Sequence, residues 1–149
     1  MISELLILTL VLVLFLYWFR YNCVSILRKV APRERTVDVA IANQLYFVSI
    51  QERLESELSE EEIDAYDRAL LRDYEVLTSL LRYTSGLRGG YTVEQRILMI
   101  DFRLMRWLFA ATRLWALSAA RKSIEERTEI LAHFAGRIAE RSTVSASRP

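Results

Sequence analysis

Leu5 to Phe19 reads LLILTLVLVLFLYWF, with no charge and only Thr9 as a weakly polar residue. A bilayer core requires about 20 apolar residues to be crossed by a helix, so the run alone is short. It extends at both ends. Ile2 precedes it, and beyond Arg20 apolar character resumes with Tyr21, Cys23, Val24, Ile26 and Leu27. No Pro or Gly interrupts residues 2–31. The pattern predicts one helix over residues 3–29, roughly 40 Å at ~1.5 Å per residue, part in lipid and part in the interface.

Tyr17, Trp18 and Tyr21 are expected at headgroup level, where amphipathic rings concentrate. Arg20 is expected to snorkel its guanidinium to the same level, with Arg28 and Lys29 beside anionic headgroups. The competing reading is a cleaved signal peptide, which needs a basic leader and a small-residue cleavage site. The leader here is Met1, Ile2, Ser3 and the acidic Glu4, and the run ends in Tyr17, Trp18, Phe19 and Arg20, none of them small. The criteria favour an uncleaved signal-anchor.

The segment after the run carries Arg20, Arg28, Lys29, Arg33 and Arg35, and nothing basic precedes it except the terminal amine. By the positive-inside rule that flank stays cytoplasmic. The expected location is a single-pass membrane protein with its C-terminal domain in the cytoplasm, and the expected membrane is a bacterial inner membrane. Cys23 is the single cysteine, so no disulfide forms within the chain. Its plain reading is a small apolar residue packed in lipid or against a partner; its sharper reading is a palmitoylated juxtamembrane thiol.

The chain has 149 residues, and after the anchor about 115 remain for one small domain. Formal net charge is +1, which argues against nucleic acid as a partner. The two prolines are Pro32 and Pro149, and there are 4 glycines, so obligatory turns are few. The expected fold is all-α: a transmembrane anchor over 1–31, an antiparallel bundle of three to four helices over 32–141, and a disordered tail over 142–149.

Within the bundle, Pro32 is expected to end the first helix. A second helix is expected over 36–57, apolar over a wide arc in its first half, so that it is covered by the bundle, by lipid or by a partner. Ser59-Glu60-Glu61-Glu62 is a capping box that opens a third helix. Ile63, Tyr66, Leu70, Tyr74, Leu77 and Leu81 then recur on one face, with Asp64–Arg68 and Arg72–Glu75 as pairs on the solvated side. Gly86 is placed as its C-terminal cap. Thr92-Val93-Glu94-Gln95 is a second capping box and opens a fourth helix over 93–122. Asp101, Arg103, Arg106 and Arg113 argue against a second span, since each central charge costs about 2.5–3.5 kcal/mol. This helix is expected at the buried centre. Ser123-Ile124-Glu125-Glu126 is a third capping box, with no Gly or Pro before it, so a bend and one continuous helix both remain open. The last stretch has a narrower apolar stripe: Ile124, Leu131, Phe134 and Ile138.

The chemistry-bearing residues are sparse. His133 is the single histidine, with Glu129 on the same helix face, and a metal centre needs three or four ligands. The acids at 60–67 lack the alternating oxygens and central Gly of a calcium loop. The loop at 86–90 fits no phosphate-binding pattern, and no nucleophile elbow is present. No metal, cofactor or catalytic residue is expected, and the enzyme reading is set aside. Arg103, Arg106, Trp107, Arg113 and Trp115 remain, residue types enriched at interface hot spots. The favoured reading places both tryptophans in the core with snorkelling arginines at the rim; the alternative is a partner-facing surface. The leading function is a membrane-anchored interaction module, an accessory, assembly or regulatory subunit of a larger membrane complex. Its partners are the lipid bilayer and a membrane protein or a second copy of the chain. The alternative is a bundle whose core, with Tyr66, Tyr74, Tyr91, Trp107 and Trp115, binds a lipid, quinone or other apolar molecule.

Overall fold

The computed structural model describes residues 1–29, 33–56, 59–84 and 90–146. Among them are six helices and no strand: α1 (Ile2–Leu27), α2 (Arg33–Ala42), α3 (Phe47–Arg53), α4 (Glu60–Thr84), α5 (Val93–Thr112) and α6 (Leu117–Ala146). The expected stops at Pro32 and Gly86 lie outside the described residues.

α1 is long and apolar enough to cross a membrane. Its first turns make no core: Leu5 to Trp18 are exposed, and only Cys23, Ile26 and Leu27 are buried. Those three turn against α5 and α6, so only the last two turns of α1 join the rest of the chain.

The predicted second helix is two helices. α2 ends in a Schellman arrangement, with Leu45 N donating to Ala40 O at 2.9 Å and Gln44 N donating to Ile41 O at 3.2 Å. Gln44 takes the left-handed position at φ 53°, where glycine is usual. The side chain of Asp73 then caps α3 from across the fold. Its Oδ2 accepts from the backbone N–H groups of Tyr46 and Phe47, both at 2.7 Å. Burial raises the Asp73 carboxyl above its ordinary range, and these two donors oppose that rise.

Two capping boxes form as the sequence predicts. Ser59 N donates to Glu62 Oε2 at 2.9 Å and Glu62 N to Ser59 Oγ at 3.3 Å. Thr92 and Gln95 make the same exchange at 3.0 and 3.3 Å. The third does not form. Ser123 sits inside α6, donates its hydroxyl back to Ala120 O at 2.7 Å and is buried. The chain turns earlier, at residues 113–116, without Gly or Pro. The reason is tertiary. An unbroken helix from 93 to 146 would leave the stripe Leu98, Phe102, Phe109 and the stripe Ile124, Leu131, Phe134, Ile138 in water, whereas the reversal packs the two into one core.

The buried centre is therefore α6, not α5. α6 touches each of the other helices, and Ala120, Ile124, Ile130, Leu131, Phe134 and Ala135 are fully enclosed. It also runs through Ser142 to Ala146, where the sequence predicts a disordered tail; residues 147–149 lie outside the described residues. Burying each large aliphatic side chain contributes about 1.5–3 kcal/mol, which is what holds a body with so few tight turns.

One core position is charged. Arg127 is fully buried, donates to Asp67 Oδ1 at 2.5 Å and to Asp67 O at 3.3 Å, and lies over the Phe102 ring at 4.7 Å. Phe102 in turn stacks on Tyr74 at 4.2 Å. Arg127 is thus paired on one side and held against an aromatic face on the other, the two means by which a guanidinium is tolerated in a core.

Candidate functional site

A polar cluster joins α1 to the body beside the buried Ile26 and Leu27. The Arg20 guanidinium forks onto Glu126 of α6, with Nη2 donating to Oε2 at 2.7 Å and Nη1 to Oε1. Nη1 also reaches Asp101 Oδ1 of α5 at 3.4 Å and the Met105 sulfur at 3.7 Å. The Arg20 side chain is 33 % exposed, Glu126 10 % and Asp101 0 %. Cys23, one turn further along α1, is buried beside Asp101. The sequence predicts that Arg20 snorkels to headgroups. Instead it is turned inward, because two carboxylates from different helices converge on it and offer a bidentate site that solvent does not match.

One guanidinium faces two carboxylates here, so the cluster carries a surplus negative charge if both ionise. Burial pushes the Asp101 carboxyl up to about 7, and the neighbouring Glu126 adds to the rise while Arg20 opposes it. Of the two carboxylates, Asp101 is the one held toward neutral pH, and its second oxygen, Oδ2, is buried without a hydrogen-bond partner.

Beside it opens a cleft of about 570 Å³, lined by Val24, Leu27, Lys122, Glu129, Ala132 and His133 among others, with Arg20 and Glu126 on its wall. His133 is buried and its Nε2 has no hydrogen-bond partner. Burial, then Arg137, hold it below the ordinary histidine range. Burial and the nearby Glu125 and Glu126 raise Glu129. Among the described residues no three His, Cys, Asp or Glu side chains gather to hold a metal ion.

The remaining residues singled out by sequence fall into two places. Tyr17, Trp18 and Tyr21 are exposed around α1, Arg28 is exposed at its end, and Lys29 lies 3.9 Å from Glu94. On α5, Arg103, Arg106 and Trp107 stand together on the outward side. Trp107 is 78 % exposed and Trp115 86 % exposed, which overturns the core reading of both. The apolar residues of α5 divide between two faces. Leu98, Phe102, Met105 and Phe109 point inward, while Ile100, Trp107 and Leu108 point outward. Arg113 does not join the other two arginines; it pairs with Asp64 at 3.0 Å, so Asp64 serves a tertiary contact and not the Arg68 side-chain pairing expected of it. Tyr74 is engaged by stacking and Tyr91 donates to Thr78 O at 3.2 Å. With both tryptophans outside, these aromatics do not line a common cavity.

Sequence reasoning missed Asp101 and Glu126 as partners of the anchor. In the sequence Asp101 reads as a charge that opposes membrane insertion, and Glu126 as the last member of a capping box; neither pattern points to the anchor. A charged residue inside an otherwise apolar helix face was the available signal. Comparison with family models, with curated proteins and with solved structures finds no match to this chain.

Proposed function

We propose that this protein is a single-pass membrane-anchored helical interaction module, an accessory, assembly or regulatory subunit of a larger membrane complex. α1 crosses the bilayer, the basic flank from Arg20 onward keeps the helical body on the cytoplasmic side, and a bacterial inner membrane fits that arrangement. The observation that carries the reading is the outward face of α5, where Ile100, Arg103, Arg106 and Trp107 stand exposed together. Exposed tryptophan flanked by arginine is the composition of an interface anchor, and here it stands on the helix that also receives Arg20. The partner is a membrane protein or a second copy of this chain.

The test is gentle detergent purification from the native host, with Trp107→Ala compared against the unaltered chain. A stoichiometric membrane partner should co-elute with the unaltered protein and be lost from the variant, while the unfolding transition of the variant stays in place because Trp107 is outside the core. Recovery of the chain alone, or retention of the partner by the variant, contradicts the proposal. A second reading draws on the cleft beside α1, whose floor of Val24, Leu27 and Ala132 sits between charged walls. It would take an amphipathic lipid or quinone-like molecule, and one enriched species in an organic extract of the same preparation would favour it.

A further inference from the structure

The turn between α5 and α6 carries Leu114, Trp115 and Leu117 on its outside, all exposed, with Leu114 at 82 % and Trp115 at 86 %. Its position relative to α1 follows from side-chain pairings on three helices. Along α5, Lys29 meets Glu94 and Arg20 meets Asp101 and Met105. Moving toward the N-terminus of α1 therefore moves toward the C-terminus of α5. Along α6, Arg20 meets Glu126, while Leu27 and Arg28 share the cleft with His133, so α6 runs in the direction of α1. The pairing of Arg137 with Glu94 at 2.9 Å sets α5 and α6 antiparallel in the same register.

Both helices thus descend past Arg20 toward the apolar end of α1. From Met105 to Arg113, and from Glu126 back to Ala116, the chain advances roughly 12–15 Å at ~1.5 Å per residue. The turn lies on the lipid side of Arg20, the residue at which the apolar run of α1 ends. Its depth is smaller than that path length, because α1 parts from α5 and α6 beyond Arg20 and its Leu5 to Trp18 are exposed. Among the described residues nothing covers it, since Leu114, Trp115 and Leu117 are all exposed.

We propose that the α5–α6 turn is a second membrane contact, with Leu114, Trp115 and Leu117 seated in the headgroup and upper acyl zone of the leaflet that α1 enters. The inference rests on the reading of α1 as a membrane-spanning helix. The residue types fit: tryptophan concentrates at that depth, and leucines beside it add apolar area that lipid can bury. The depth is limited by charge. Arg113 and Asp64 pair at the turn and the acidic start of α4 stands near them, so the tip rests at the interface and does not enter the hydrocarbon centre, where ionised groups are costly. The consequence is a body fixed at two points, α1 and the turn, so that α5 and its outward face are held at a set angle to the bilayer.

The test uses the full chain reconstituted in phosphatidylcholine vesicles, with bromines carried high on the acyl chain as a fluorescence quencher. One variant, Trp18→Phe with Trp107→Phe, leaves Trp115 as the reporter. Another, Trp107→Phe with Trp115→Phe, leaves Trp18. The proposal expects blue-shifted emission from Trp115 and a loss of intensity in brominated vesicles comparable to that of Trp18. Quenching of Trp18 with unquenched Trp115 overturns the second contact while leaving the anchor intact, whether the turn then faces water or a second copy of the chain. Absence of quenching at both positions overturns the anchor reading itself, and this inference with it.

Discussion

Replacing Arg20 by Gln removes the cation that two buried carboxylates share. Asp101 is 0 % exposed and Glu126 10 %, and they would face each other without compensation. Removing one partner of a buried ion pair typically costs about 3–5 kcal/mol. The Arg20 side chain is 33 % exposed, so water already screens part of its contribution and the low end applies, about 3 kcal/mol. That loss should depend on pH. Without the guanidinium, which opposes the rise of Asp101, that carboxyl holds its proton more tightly in the folded state, and a neutral Asp101 beside Glu126 costs little. The deficit should therefore be full near about pH 7.5 and shrink by ~1–2 kcal/mol near about pH 5. Thermal unfolding in a nonionic detergent, followed by far-ultraviolet circular dichroism at both pH values, reads this directly; about 3 kcal/mol is a drop in Tm of roughly 10 °C. Arg20→Lys should fall between, since an ammonium keeps the charge but loses the two-pronged geometry. A loss under ~1 kcal/mol at both pH values is the signature of a screened surface pair and would refute the assignment of Arg20 as the latch between α1 and the body.

Two further perturbations probe the same interior. Asp101 has a folded value of about 7 against an unfolded one near ~3.9, so the folded state holds a proton that the unfolded state releases. Its contribution is present at the acid end and is lost as pH rises from about 4 through 7; Asp101→Asn should flatten that fall. Asp73 and Glu129 are raised and act in the same sense, and His133 is lowered and acts in the opposite one, so the difference between the two denaturation curves isolates Asp101, and identical pH dependence contradicts its assignment. Asp67→Ala leaves the fully buried Arg127 guanidinium with only the residue-67 carbonyl and the Phe102 ring and should cost about 3–5 kcal/mol; a chemical-denaturation midpoint that does not move would mean that those two suffice to hold the charge.

The features that were legible in the sequence are local ones. The uncharged run Leu5–Phe19 announces α1 because lipid compatibility needs no knowledge of the rest of the chain. Ser59 with Glu62, and Thr92 with Gln95, announce helix starts because each capping exchange closes within one turn. What the sequence hides is imposed from a distance. The α2–α3 break uses Gln44 where glycine is the usual marker, and Asp73 on α4 supplies the cap. The α5–α6 reversal has no breaker residue, since packing of two apolar stripes overrides helix propensity. Ser123-Ile124-Glu125-Glu126 matches a capping box in spelling, yet Glu126 is taken by Arg20. Trp107 on α5 and Trp115 in the turn after it have the look of core residues for a related reason. A helix with apolar residues on two faces has the composition of a core helix, and only the fold tells which face is left open.

The cluster at Arg20 also explains how a helix with an otherwise bare surface is held at a defined angle to its body. A long apolar helix joined by a connector alone would swing freely. Here one bidentate ion pair, the buried Cys23, Ile26 and Leu27, and the Lys29–Glu94 contact fix the last two turns against α5 and α6. Any face that α5 presents to a partner is thereby presented at a constant position relative to Arg20.

The central claim is that α1 remains in the protein as a bilayer-spanning anchor. The most direct measurement is intact mass spectrometry on protein recovered from alkaline-carbonate-washed membranes of cells producing the full chain. The account predicts that the chain stays in the membrane pellet at the mass of the uncleaved sequence. Release into the carbonate supernatant, or a species shortened within or just after α1, would contradict it.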